Sequence, residues 1–204
     1  MTARGRLIAL EGGEGSGKST QARLLAQRLD AVLTREPGGT RLGEEIRRLV
    51  LEGSDDIHPR TEALLMAAAR AQHVAEVIGP ALKAGRHVVT DRFTPSSLAY
   101  QGFGRGLDAS EIGRLSRWAT GGLSADLVVL LDVPDGIRSA RTGQPRDRLE
   151  AAGEEFHDRV IAGFRQMAAV DDGGWEVVDG SGSIDEVAER VWQAWLRSQQ
   201  RLAS

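Results

Sequence analysis

Near its start the chain runs Glu11-Gly12-Gly13-Glu14-Gly15-Ser16-Gly17-Lys18-Ser19-Thr20, which contains the spacing G-x-x-x-x-G-K-[ST]. Glycines let the backbone curl until successive N–H groups point at one phosphate, and a helix beginning near Lys18 adds the positive end of its dipole. Lys18 then reaches the outer phosphates of a nucleoside triphosphate, and the Ser19 hydroxyl faces a Mg²⁺ held between them. The plain alternative is a glycine-rich turn that only joins strand to helix. The apolar run before the motif and the helical spacing after it favour the phosphate loop. Three further clusters hold charged and hydroxyl groups: Thr34-Arg35-Glu36-Pro37-Gly38-Gly39-Thr40, Asp91-Arg92-Phe93 and Ser96-Ser97-Leu98-Ala99-Tyr100-Gln101-Gly102. An arginine-rich, loop-like stretch with Gly143 and Pro145 runs from Arg141 to Glu150.

The elements that position these groups belong to one domain. With 204 residues, 41% hydrophobic and 27% charged, the chain is long enough for one sizeable core, short for two, and too apolar to be disordered. Five short β-type runs, Leu7 to Leu10, Ala31 to Thr34, His87 to Thr90, Leu127 to Val133 and Glu176 to Val178, alternate with helical stretches. That order predicts an α/β fold, a five-stranded parallel sheet with helices on both faces. The second and fifth runs are weak by themselves and rest on their place between helices. Helical spacing covers Ser19 to Leu29 and Leu42 to Leu51. A long, buried helix is expected over Thr61 to Ile78, with Leu64, Leu65, Ala68, Ala71, Val74 and Ala75 in its apolar stripe and an interruption or kink at Gly79-Pro80. Asp108 to Glu111 and Ser183 to Glu186 read as helix-opening capping boxes, and residues 198–204 as a frayed tail.

A net charge of −3 argues against sequence-independent nucleic-acid binding, which needs a basic excess. No run approaches the ~20 apolar residues of a membrane span, and the apolar run at Leu7 to Leu10 is too short for a signal peptide. Cysteine is absent. The expected location is the cytoplasm.

The three clusters all follow predicted strand ends, the edge of an open α/β sheet where ligands bind. At these residues the chain resembles the thymidylate kinases, nucleotide kinases of the P-loop fold that phosphorylate dTMP with ATP on the way to dTTP. The resemblance rests on E-G-x-E-G-x-G-K-[ST], T-R-E-P-G-G-T, the G-E-x-I-R segment at Gly43 to Arg47, and D-R-[FY]-x-x-S-[ST]-x-A-Y-Q-G, and runs from Leu10 to about Leu149. It implies that residues 12–19 and Thr20 bind ATP, that dTMP lies against the segments between about residues 41 and 102, and that residues 141–150 form an arginine-bearing lid. Such an acceptor is a phosphate monoester, mostly a dianion at neutral pH, so the chemistry calls for positioning and charge neutralisation rather than a strong base.

In that frame Arg92 clamps acceptor and transferring phosphate, and Asp91 joins Ser19 at Mg²⁺, directly or through water. The lesser alternatives are an ordinary ion pair at a strand end for Arg92 and a helix or turn cap for Asp91. Arg35 and Arg47 stand near the acceptor, and by resemblance Arg47 reaches its phosphate or base edge. Arg70, embedded in Met66-Ala-Ala-Ala-Arg70, needs an anionic or polar partner; by resemblance it reads the thymine carbonyl edge, while an internal salt bridge would serve as well. Ser97 and Gln101, four apart, offer hydrogen bonds to the pyrimidine, and Pro37 packs on its ring. The resemblance also sets Tyr100 against the sugar 2′ position, although core packing also explains a lone tyrosine, and Glu14 near the 3′ hydroxyl.

Gly15 stands where one thymidylate kinase subclass has arginine, so the resemblance points to the subclass with a lid arginine, here Arg146 or Arg148, with Arg141 beside ATP. A solvated basic loop is the bland alternative. One departure is Met66 where the family usually has a phenylalanine on the thymine, which predicts looser base selection. Another is the short segment from Leu29 to Thr34. Asp179-Gly-Ser-Gly is the best candidate for adenine, the histidines are read as structural or surface groups, and the resemblance implies a homodimer. Two other readings stay open: a kinase for a different nucleotide or nucleoside, and a nucleotide-hydrolysing switch, although the guanine-reading N-K-x-D motif is missing.

Overall fold

The computed structural model describes residues 4–53, 56–141, 147–171 and 173–203. Its strands are β1 (Leu7–Glu11), β2 (Val32–Arg35), β3 (Val88–Asp91), β4 (Leu127–Asp132) and β5 (Trp175–Asp179). All pair in parallel, in the order β2-β3-β1-β4-β5. The two strands with the weakest sequence signal, β2 and β5, are the two edges. Both are only partly covered, so neither needs the continuous apolar run that marks β1 and β4, which are buried on both faces.

Alternation along β1 sends Ile8 and Leu10 to one face and Leu7 and Ala9 to the other. Ile8 and Leu10 pack beneath α1 (Lys18–Leu29) and α9 (Ile184–Ala203), through Leu25, Val191 and Trp195. Leu7 and Ala9 meet Ile78, Leu82 and Phe93. A third cluster joins α2 (Arg41–Leu51), α3 (Pro59–His73) and α8 (Glu154–Ala169), with Met66, Tyr100, Phe156 and Phe164 at its centre. The short segment after α1 is a tight reversal: Asp30 takes a left-handed conformation (φ 49°), and the Ala31 N–H bonds the Ala26 carbonyl at 2.9 Å. Helix α6 (Ala109–Ala119) is capped by Asp108, which accepts from the Glu111 N–H. Ser183 and Glu186 cap each other reciprocally at the start of α9.

Two expectations need correction. The face that α3 buries holds Glu62, Met66, Arg70 and His73, whereas Leu64 is 59% exposed and Ala68 and Ala75 are exposed too. Alanines occur all round this helix, so hydrophobic periodicity does not fix its rotation; buried partners for its polar residues do. The expected interruption at Gly79-Pro80 takes the form of a π-helical turn just before it, Val74–Ile78, with the Gly79 N–H on the Val74 carbonyl, after which the path runs on as α4 (Gly79–Lys83). A proline has no N–H for the ordinary ladder, and the widened turn lets the helical path pass it. Finally, the expected fraying does not begin at Ser198: α9 continues to Ala203, and Ser198 is buried, its hydroxyl donating to the Trp195 carbonyl at 2.7 Å.

Candidate active site

The central strand ends in Glu11, and Gly12 to Gly17 carry the chain from there into α1. At Gly12, φ is 143° and a Cβ would lie 2.6 Å from the Leu131 carbonyl oxygen, so only glycine turns the corner there. Lys18 is buried and donates to the Gly13 carbonyl at 2.7 Å and the Ser16 hydroxyl at 3.3 Å. Burial, then the neighbouring Arg92, lowers its pKa. Register pairs Leu10 with Asp91, so the end of β3 lies beside the start of the loop. There Ser19 Oγ donates to Asp91 Oδ2 at 2.5 Å, while Asp91 Oδ1 is buried with no hydrogen-bond partner among the described residues.

Arg92 follows immediately, in a left-handed conformation (φ 73°) that ordinary residues avoid. Its guanidinium bonds Glu14 Oε1 at 2.5 Å, the Tyr100 hydroxyl at 2.8 Å, Ser96 Oγ at 3.1 Å and the Gly12 carbonyl at 3.3 Å. Tyr100 in turn donates to Glu14 at 2.9 Å. Burial works against the Glu14 carboxylate, but Arg92 and Lys18 outweigh it and draw its pKa down to about 2. Burial likewise opposes the Arg92 charge, and Tyr100, Glu14, Asp91 and Glu11 overcome it, so its pKa is raised. Beneath lies Glu11, wholly enclosed, accepting from the Phe93 N–H at 2.8 Å and from Ser96 Oγ of α5 (Thr94–Ser97) at 2.6 Å. Burial lifts its pKa to about 7, against the pull of Arg92 and these donors.

From this charged chamber a cleft of ≈ 460 Å³ extends between α2, α3 and the π-helical segment Leu98–Gly104, a volume suited to one small molecule. Lys18, Ser19, Asp91 and Arg92 line one part; Pro37, Met66, Arg70, Ser97 and Gln101 line another. Arg70 is 4% exposed, with Nε on Glu36 (2.7 Å), Nη1 on Ser97 (2.9 Å) and Nη2 on the Phe93 carbonyl (3.1 Å). Among the described residues three of its five N–H groups have a partner, which leaves two for an acceptor in the cleft.

A family model described as thymidylate kinase matches residues 10–191. A thymidylate kinase of a Synechococcus strain is 51% identical over 190 residues, covering 91% of each chain. One from Leifsonia xyli is 51% identical over 195 residues, covering 92% of each. A solved thymidylate kinase from Ehrlichia chaffeensis superposes with a TM-score of 0.80 at 31% identity, over 94% of this chain and 99% of that one.

The chain belongs to the thymidylate kinase family. Most residues expected at a thymidylate kinase site are brought together here: Glu14, Lys18, Ser19, Asp91 and Arg92 at the phosphate end, and Arg35, Pro37, Arg47, Met66, Arg70, Ser97, Tyr100 and Gln101 around the cleft. Arg35 sits at the rim in an ion pair with Glu44, and Arg47 donates to the Pro37 carbonyl at 3.0 Å. Two alternatives prove not to be exclusive. Arg70 has its salt bridge and still lines the cleft; Tyr100 packs edge-on against Phe156 while its hydroxyl enters the Arg92 network.

The lid behaves differently. Arg146 lies outside the described residues. Arg148 is turned to a buried acid: its Nη2 pairs with Glu62 at 2.5 Å and its Nε donates to the Val50 carbonyl at 2.9 Å. The carboxylate drew it inward, a partner that sequence spacing could not reveal. Arg141, at the end of α7 (Asp135–Arg141), donates to the carbonyls of Gly180 and Gly182 and so joins the lid base to the loop expected at adenine. Sequence reasoning passed over the buried carboxylates Glu11, Glu36 and Glu62 and the hydroxyl of Ser96. An acidic residue closing an apolar strand, as at Glu11, was the one available signal. His73, read as structural, is fully buried between Glu36 (2.9 Å) and Thr34 (2.6 Å).

Proposed function

We propose that this chain carries out its family's reaction, transfer of the ATP γ-phosphoryl group to dTMP, with the residues gathered at the sheet edge. The observation that carries the assignment is the continuity of the cleft, which runs from Lys18 and Ser19, past Arg92, to Arg70, Ser97 and Gln101. A triphosphate on the loop and a nucleoside monophosphate in the cleft then meet end to end at Arg92. The loop amides and Lys18 hold the β- and γ-phosphates; Lys18 gives up its bonds to Gly13 and Ser16 to reach them. Arg92 exchanges its bonds to Gly12 and Ser96 for oxygens of the two reacting phosphates, while Glu14 and Tyr100 keep its plane fixed. Since the acceptor dianion is already a nucleophile, alignment and cancelled repulsion supply the catalysis. Arg146 is the lid arginine left to meet the transferring group, because Arg148 is held by Glu62.

The donor set also suits Mg²⁺. Asp91 offers a buried oxygen without a protein partner next to the Ser19 hydroxyl, hard oxygen ligands of the kind that ion prefers. When bound, it would neutralise charge on the β- and γ-phosphates. At the other end, the two free N–H groups of Arg70 meet a thymine carbonyl, Pro37 and Met66 enclose the ring, and Tyr100 crowds the sugar.

The test is a coupled assay of ADP formation with Mg²⁺, ATP and dTMP. Rapid ADP release that requires dTMP supports the proposal. Preference for another monophosphate or a nucleoside would replace the substrate, and equal release without acceptor would make the chain a hydrolase. We place the enzyme in the cytoplasm, where its substrates are; among the described residues no helix is long and apolar enough to cross a membrane. We also propose a homodimer through the outer face of the packed α2–α3 pair, where Leu49 is 60% and Leu64 59% exposed. Leu64→Glu should yield monomers by light scattering; a wild-type protein that is already monomeric removes the proposal.

A further inference from the structure

Glu62, in the first turn of α3, is wholly buried, yet it does not line the cleft. Three side chains converge on its carboxylate: Gln101 through Nε2 at 2.8 Å, Arg105 through Nη2 at 3.1 Å and Nε at 3.5 Å, and Arg148 through Nη2 at 2.5 Å. Two of them are guanidiniums that balance its charge, a requirement for a carboxylate cut off from water. The third is the amide of a residue that does line the cleft.

An amide has two chemically opposite ends, and rotation by half a turn exchanges them at almost no steric cost. Which end faces a ligand is therefore decided by what holds the other end. An ion-paired carboxylate can only accept, so Glu62 holds the NH₂ end and leaves the carbonyl oxygen of Gln101 for the cleft. We infer that Glu62 is a positioning residue for base choice: through Gln101 it presents an acceptor to the pyrimidine ring, selecting bases that carry a proton on N3 and rejecting those whose N3 is a lone pair. Thymine and uracil have that N–H, and cytosine does not. Arg70 reads a carbonyl independently, since its own partners are Glu36, Ser97 and Phe93. Discrimination against cytosine is thereby divided between two side chains held by two different buried carboxylates. The arrangement also joins base choice to the lid base, because Arg148 shares the same carboxylate.

This inference rests on the proposed dTMP kinase activity, and its test separates the two. Wild type and Glu62→Gln are compared for kcat/KM with dTMP and with dCMP. A glutamine at 62 keeps the shape but can donate as well as accept, so the Gln101 amide is released to turn. The dTMP-to-dCMP preference should fall at least about tenfold, the scale set by leaving one oriented polar group mispaired. A structural role alone would lower both values together and leave their ratio unchanged, which would overturn the inference while leaving the kinase assignment intact. In a Gln101→Met background, Glu62→Gln should shift the ratio no further; a continued shift would show that Glu62 acts by another route. A reading free of any variant uses the wild-type enzyme: 3-methyl-dTMP, whose N3 carries a methyl in place of the proton, should bind at least about tenfold more weakly than dTMP, and equal binding would overturn the inference. Wild-type enzyme inactive on dTMP would refute the kinase assignment itself.

Discussion

Arg92 gives the sharpest quantitative expectation, because its two terminal nitrogens face different partners: Nη1 meets Gly12 and Ser96, and Nη2 meets Glu14 and Tyr100. With both phosphates in place, the two N–H groups of Nη1 can serve one each, while Nη2 stays with Glu14 and Tyr100. A charge-assisted hydrogen bond contributes about 1.5–3 kcal/mol, so Arg92→Met, which loses two, should lower kcat by roughly 10²–10⁴-fold. Arg92→Lys keeps the charge but loses the fork. An ammonium satisfies one phosphate well and the other poorly, and the expected loss is ~10–10²-fold. The backbone at 92 is left-handed for arginine, lysine and methionine alike, so its conformational cost cancels between variants. Stability should change far less than activity, since Glu14 retains Lys18 nearby; a loss of about 1–2 kcal/mol is expected by urea denaturation. The assay is single-turnover ADP formation at saturating ATP, with dTMP varied. Should Arg92→Met raise KM for dTMP with kcat within threefold of wild type, Arg92 binds the ground state only, and the clamp reasoning is wrong.

Other residues give separate expectations. Asp91→Asn should raise the Mg²⁺ concentration for half-maximal activity by about tenfold, because a neutral amide replaces the charged ligand; an unchanged Mg²⁺ titration would remove Asp91 from the ion. Met66→Phe should raise the ratio of kcat/KM for dTMP over dUMP by ~3-fold or more through firmer stacking, whereas an unchanged ratio ends the idea that Met66 loosens selection. The pKa of Glu11 rises on folding from 4.5 to about 7, so the native state binds the extra proton. Its stabilising contribution is complete below pH 4.5 and is lost as pH rises through 7. A shift of this size corresponds to about 3 kcal/mol between pH 4.5 and 8. Glu11→Gln should therefore gain on wild type in urea-unfolding free energy as pH is raised from 5 to 8; parallel profiles would mean that Glu11 is not protonated at neutral pH.

What the sequence disclosed follows from the range of the physics involved. The phosphate loop is legible because its chemistry is local: glycine conformations, a lysine and a helix start within ten residues. The inner strands are legible because burial on both faces demands continuous apolar runs, and β2 and β5 are faint because edge strands do not. The rotation of α3 is illegible because alanine fits either side of it, so the decision falls to Glu62, Arg70 and His73, whose partners come from other segments of the chain. The buried partner of Arg148 was hidden for the same reason. Its arginine-rich surroundings are a local signal, but the carboxylate that captures it is 86 positions away.

That distance exposes a layer of design that charge counting misses. Positive residues near the cleft look like ligand contacts, but several are backed by an acid: Arg70 by Glu36, Arg92 by Glu14, Arg35 by Glu44. A cleft lined with unbalanced guanidiniums would repel itself and would have no reason to keep each group at one angle. Backing each with a carboxylate cancels most of the net charge before a nucleotide arrives and fixes the remaining N–H groups in direction, so that the acceptor meets donors already aimed. On the proposed function the acids are as much a part of recognition as the arginines. A substitution that removes Glu36 should misdirect Arg70 even though Glu36's own oxygens are taken up by Arg70 and His73 rather than by a substrate.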